Sequence, residues 1–128
     1  MNESTGKLIL RLALGLMLLM HGIHKLTGGI GYLDGMLANA GLPAFLKYGV
    51  YIGEVIAPLA LIAGYYARVG AWVVAVNMLF AIALVGAHDM FALNPKTGGM
   101  ALELEYFYLF SAIALALIGP GRYAVNQK

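Results

Sequence analysis

From Leu8 to Met20 the chain is apolar except for Arg11, and the run ends in a basic cluster, His21, His24 and Lys25, with Gly22 inside it. An apolar helix of this length matches the hydrocarbon core of a bilayer. A charge near each end of such a helix must reach a headgroup or find a partner, because hydrocarbon tolerates neither alone. The rest of the composition agrees. Hydrophobic residues make up 62% of 128 residues and charged ones 11%, where a soluble domain carries about 25%. Mean hydropathy is +0.83. A water-soluble fold of this size could not hide so much apolar surface, so residues 1–128 read as a single membrane domain. The net charge of +2 and the absence of a basic patch interleaved with aromatics exclude nucleic acid as a partner. There is no cysteine, which removes disulfides, CxxC redox chemistry, iron–sulfur clusters and thiolate metal sites. Lys7 before an apolar run resembles a secretory leader. No small-x-small cleavage site follows it, so the stretch reads as a retained first span.

The expected fold class is all-α: an integral membrane four-helix bundle with spans at about 7–25, 45–65, 69–87 and 101–118. Leu26 to Leu46 is a glycine-rich connection ending near Pro43, and within it Tyr32 to Ala40 can form a short interfacial helix stopped by Asn39 and Gly41. The tight link from Gly64 to Arg68 makes spans two and three antiparallel neighbours. A polar loop, His88 to Met100, precedes span four, which Gly119-Pro120-Gly121 stops. Lys7, Arg11, Arg68, Arg122 and Lys128 fall on one side, and Lys25, Lys47 and Lys96 on the other. That bias places both termini in the cytoplasm.

Helical faces carry more. Arg11, Gly15, Leu18, Gly22 and Lys25 share one stripe of span one, with His21 one turn before Lys25. Gly49, Gly53 and Ala57 form a small-residue row in span two, a pattern that lets backbones approach closely in lipid, and Glu54 lies beside it. In span four, Glu105, Leu109, Ala112, Ala116 and Gly119 form a second such row. Glu54 lies on the order of 10 Å inside the outer end of its span, at 1.5 Å per residue. The polar residues His21, His24, Lys25, Glu54, His88, Asp89, Glu103, Glu105 and Tyr106 converge on the outer half of the bundle. Arg11 and Asn77 lie deeper or toward the inner side. The expectation is an outward-opening polar pocket. Its ligand-binding candidates are Arg11, His21, Lys25, Glu54, His88, Glu103, Glu105 and Tyr106, and its catalytic candidates are Glu54, His21 and Glu105. Each has a plainer reading. Arg11 can snorkel to headgroups, Lys25 can anchor an interface, Asn77 can bridge helices, and the tyrosines can serve as span-end belts.

The pattern R-L-x-L-G-x-x-L-L-x-H-G-x-x-K-L, beginning at Arg11, resembles the first span of the DoxX family of small bacterial membrane proteins. The Gly41-Leu42-Pro43 connection, the acid at Glu54, the Gly64…Arg68 turn, the acidic start Glu103 to Leu109 and the ending Gly119-Pro120-Gly121-Arg122 extend the resemblance over nearly the whole chain. It implies a four-helix bundle in the bacterial inner membrane. It also implies an association with quinone-linked redox systems of sulfur metabolism or oxidative stress, and with soluble or membrane redox partners.

Four readings of the pocket stay open on residues alone. One is a quinone-interacting redox subunit, with His21 or His88 donating to a ring oxygen and Glu54 or Glu105 relaying protons. A second is a small-solute or proton-coupled transporter, of a size that suits a homodimer. A third is a metal site built from His21, His88, Glu54 and Glu105, although no pair on one helix has ligand spacing, and the expectation is no metal. The fourth is a scaffold for soluble redox proteins. No motif for a covalently bound cofactor is present.

Overall fold

The computed structural model describes residues 2–29, 31–85, 93, 95–96 and 103–128. His88 and Asp89 lie outside the described residues, and of Glu103 only the backbone is described. The chain is all-α. Helix α1 spans Asn2–Gly28, longer at both ends than the apolar run that predicts it. Its buried residues are Arg11, Leu14, Gly15, Leu18 and Gly22, the stripe expected from the spacing. The helix stops where Gly29 takes φ +84° and closes the last turn onto the Lys25 carbonyl. Helix α2, Tyr32–Asn39, occupies the place of the short connecting helix. It buries Leu37 fully against Leu46, Val50, Tyr51 and Phe80, and the chain turns out of it at Gly41, φ +74°.

Helix α3, Ala44–Ala63, is composite. It opens as a 3-10 turn over Ala44–Tyr48, makes one α-turn over Gly49–Tyr51, widens to a π turn over Ile52–Ile56, and finishes as α-helix over Ala57–Ala63. Gly64 ends it in the left-handed region, φ 71°, a conformation that glycine adopts without cost. Helix α4 is Ala67–Val85 and α5 is Glu103–Ile118.

Helix α1 packs on α3 and α5, α3 on α4, and α4 on α5. The core between them is Leu14, Leu18, Ala57, Leu61, Ala71, Val74, Met78, Tyr108, Ala112 and Leu115. Small residues set the approach. A Cβ on Gly15 would press on Ile62 and the Pro58 carbonyl, and one on Gly70 would meet the Ala57 carbonyl at 3.2 Å. Large apolar side chains cover the outer faces, among them Met20 on α1, Ile56 on α3, Val76 on α4 and Phe107 on α5, each more than 60% exposed. Apolar cover on this scale suits a hydrocarbon surrounding, not water. Helices α1 and α3 are long and apolar enough to cross a membrane, while the apolar stretches Ala67–Ala83 and Leu104–Ile118 are shorter.

Both termini sit at one end. The Arg122 N–H donates to Ser4 Oγ at 3.3 Å, the Asn126 N–H donates to the Gly64 carbonyl at 3.2 Å, and Asn126 Oδ1 accepts from the Tyr66 N–H at 3.0 Å. The tail after Gly119 is thereby folded across the α3–α4 turn. Lys25 and Glu54 lie toward the opposite end.

A candidate site at a buried ion pair

Glu54 sits on the π turn, and the sequence supplies a reason for that turn. Pro58 has no N–H, so the Glu54 carbonyl loses its donor in a regular i→i−4 ladder. The helix widens instead, and the Ala57 N–H reaches back five residues to Ile52. The Glu54 carbonyl then faces α1 at Gly22, where any Cβ would collide with it. The close approach also sets the side chains. Lys25, one turn beyond Gly22, places Nζ 2.6 Å from both carboxylate oxygens of Glu54. The Glu54 side chain is 6% exposed and that of Lys25 22%. A carboxylate this deep requires such a partner, and a cation on both oxygens provides it.

His21 lies on α1 one turn before Lys25. Its ring meets that of Tyr108 on α5 edge-on, with centroids 6.0 Å apart. Tyr108 is buried, and the carboxylates of Glu105 and Glu54 both act on it electrostatically. Glu105 and Tyr106 are half-buried on the same helix. Met17, Met20, His21, His24 and Tyr108 line a shallow depression of about 450 Å³ between α1 and α5.

The structure therefore brings together Lys25 and Glu54, and places His21, Tyr108 and Glu105 alongside. It does not gather every candidate into one polar pocket. The larger cavity, about 520 Å³, lies on the other side of the π turn between α3 and α4, and its walls are apolar except for Asn77. Arg11 needs a correction. It neither snorkels nor joins the cluster. It is 1% exposed and donates from Nη1 to the Pro120 carbonyl at 3.1 Å and from Nη2 to the Tyr123 carbonyl at 2.8 Å. Its role is to hold the tail at the opposite end. Arg68 acts likewise on the carbonyls of Ala116, Leu117 and Gln127. Among the described residues no three His, Asp or Glu side chains converge on a metal-sized space.

Tyr108 escaped the sequence reading because it is one of eight tyrosines that pass as packing or belt residues. Its spacing could have flagged it, since it is three residues from Glu105 and four from Ala112, on the buried side of α5. The π turn escaped because face assignments assumed a regular helical period, although Pro58 was the visible signal for it.

Comparison with known proteins places the chain in a family. The DoxX family profile matches residues 6–87. A protein of Bacillus subtilis (strain 168) named "Putative oxidoreductase CatD" is 36% identical over 121 residues, covering 93% of this chain and 84% of that protein. No solved structure matches. With the family pattern spanning more than half of its length and a relative aligned along nearly all of it, the chain is a membrane protein of the DoxX family.

Proposed function

We propose that the protein is a four-span bundle of the bacterial inner membrane, with both termini cytoplasmic, that serves as a quinone-interacting accessory subunit of a redox system. Of the two shorter helices, α4 suits that topology by its length, and α5, Glu103–Ile118, comes close to it among the described residues. The 19 residues of α4 rise about 28 Å at 1.5 Å each, close to the roughly 30 Å of a hydrocarbon core. The observation that carries the functional reading is the buried Lys25–Glu54 pair flanked by the His21–Tyr108 contact.

Reduction of a quinone takes up two electrons and two protons at its ring oxygens. The residues here suit the proton half. Lys25 and Glu54 form a linked donor and acceptor that can exchange a proton without leaving a lone charge in lipid. The His21 ring N–H and the Tyr108 O–H are the neighbouring donors, and Met17 and Met20 give an apolar surface beside them. Electrons come from a soluble or membrane redox partner, which makes the role accessory. The B. subtilis relative's name, an oxidoreductase, points to the same class of chemistry.

Purified protein is expected to carry quinone in its lipid extract. Glu54→Gln is expected to fold but to lower quinol-coupled turnover in membranes. Extracts free of quinone, together with no thermal shift on adding menaquinone or ubiquinone, would overturn the proposal.

A further inference from the structure

The groove between α3 and α4 holds one polar side chain in an otherwise apolar wall. Asn77 lies near the middle of α4, is half-buried, and lines the groove with Gly49, Gly53, Trp72, Val76 and Phe80. Its side chain packs directly over Gly53, where an added Cβ would meet Asn77 Cγ at 2.5 Å. Among the described residues its carboxamide has no hydrogen bond. An unpaired amide costs several kcal/mol in a hydrocarbon surrounding. A position in mid-membrane with two free N–H donors and a free carbonyl therefore calls for a partner from outside the chain.

We infer that this groove is a ligand site, taking a membrane-dissolved molecule with a flat apolar ring that presents a carbonyl oxygen to the Asn77 carboxamide. The inference rests on the quinone reading above for the identity of that molecule and gives it a second seat, across the π turn from the depression lined by His21 and Tyr108. Three observations select this occupant. A volume of about 520 Å³ falls within the usual range for small-molecule sites. Trp72 and Phe80 supply aromatic walls against which a flat ring stacks. A lipid acyl chain fills the groove but leaves the amide unpaired. The site also connects to the ion pair. Gly53 faces the groove and Glu54 faces Lys25, and the two are consecutive residues of the π turn. A ring seated on Gly53 presses on the backbone that aims Glu54.

Trp72 is the one tryptophan in the chain, so its fluorescence reads the groove directly. The probe is decylubiquinone added to the protein in detergent. Decylbenzene, with the same tail and no carbonyl, serves as competitor. Saturable quenching is expected, with decylbenzene competing at least tenfold more weakly. Asn77→Leu is expected to weaken decylubiquinone about tenfold, and Asn77→Gln to restore part of the loss. Non-saturating quenching, or equal quenching in Asn77→Leu, overturns the inference. If lipid extracts of the protein contain quinone but Trp72 is not quenched, the ring sits elsewhere: this inference fails while the redox reading stands. If neither is seen, both fail.

Discussion

Gly22 and Glu54 meet backbone to backbone: the α carbon of one lies against the carbonyl oxygen of the other, with no room for a methyl group. The contact holds α1 against the π turn and brings Lys25 onto the carboxylate. Gly22→Ala should therefore do more than crowd the interface. Overpacking of this kind costs about 1–3 kcal/mol, and because the obstacle is backbone, the upper part of that range is expected. Thermal unfolding in detergent gives the stability. Ile23, the neighbouring residue, faces outward and is exposed, so Ile23→Ala is the control and should lower the midpoint far less.

The two partners of the ion pair should respond unequally to removal. Lys25→Met strands a carboxylate that is almost fully buried, at a cost of about 3 kcal/mol. Glu54→Gln strands an amine that is partly exposed and can extend toward the headgroups, so about 1 kcal/mol is expected. The double variant should recover most of the Lys25→Met loss, since no lone charge remains. Equal losses in the two single variants would contradict the burial asymmetry. Denaturation of all three variants in one detergent supplies the comparison.

Arg11 and its tail make a separate prediction. Two carbonyls, those of Pro120 and Tyr123, accept from a guanidinium that is itself buried, and Nε finds no partner among the described residues. Arg11→Met removes the charge and leaves both carbonyls without their donor. The tail should then loosen. Trypsin cleavage after Arg122, followed by mass spectrometry, is expected to accelerate several-fold. Arg11→Lys should protect only in part, because an ammonium lacks the planar fork that reaches two carbonyls at once.

How much of this could be read from residues depends on what each feature needs. The buried stripe of α1 follows from spacing alone, because Arg11, Gly15, Leu18 and Gly22 repeat at helical intervals whatever they pack against. Burial of Leu109, Ala112 and Ala116 on α5 follows in the same way. Glu54 stands out as an acid inside an apolar span. Its pairing with Lys25 is a contact between residues 29 positions apart, and periodicity carries no information about which helices adjoin. The contact of Arg11 with the tail spans more than 100 positions, so local pattern could show only that Arg11 needed a partner. The division of the polar residues, with the ion pair on one side of the π turn and an apolar groove on the other, depends on a change of helical pitch that hydrophobic spacing does not register.

Topology is testable because the chain has no cysteine, so each introduced thiol is the sole target. The tail and the α3–α4 turn share one end of the molecule, and Thr27, exposed at the end of α1, marks the other. In a four-span protein with cytoplasmic termini, Thr27→Cys reacts with a membrane-impermeant maleimide in intact spheroplasts, and Gln127→Cys reacts only after permeabilisation. Reaction of both residues from the same side would rule out that arrangement.

Pro58 offers the sharpest test of the link between backbone and site. Pro58→Ala returns the N–H that Glu54's carbonyl lacks, and a regular α-helix would use it. Proline in a helix interior costs about 3 kcal/mol, so the local preference of α3 shifts strongly toward α. If the π turn relaxes, the helix loses its extra residue per turn there, and residues before Ile56 rotate relative to α1. Glu54 then swings away from Lys25 even though both side chains remain. The expected result is a protein of little-changed thermal stability, the helix gain offset by the broken ion pair, in which Lys25 becomes several-fold more reactive toward an amine acylating reagent. Peptide mass spectrometry measures that reactivity against exposed Lys128. Unchanged Lys25 reactivity would mean that the packing of Gly22 against Glu54, and not the missing donor at Pro58, sustains the wide turn.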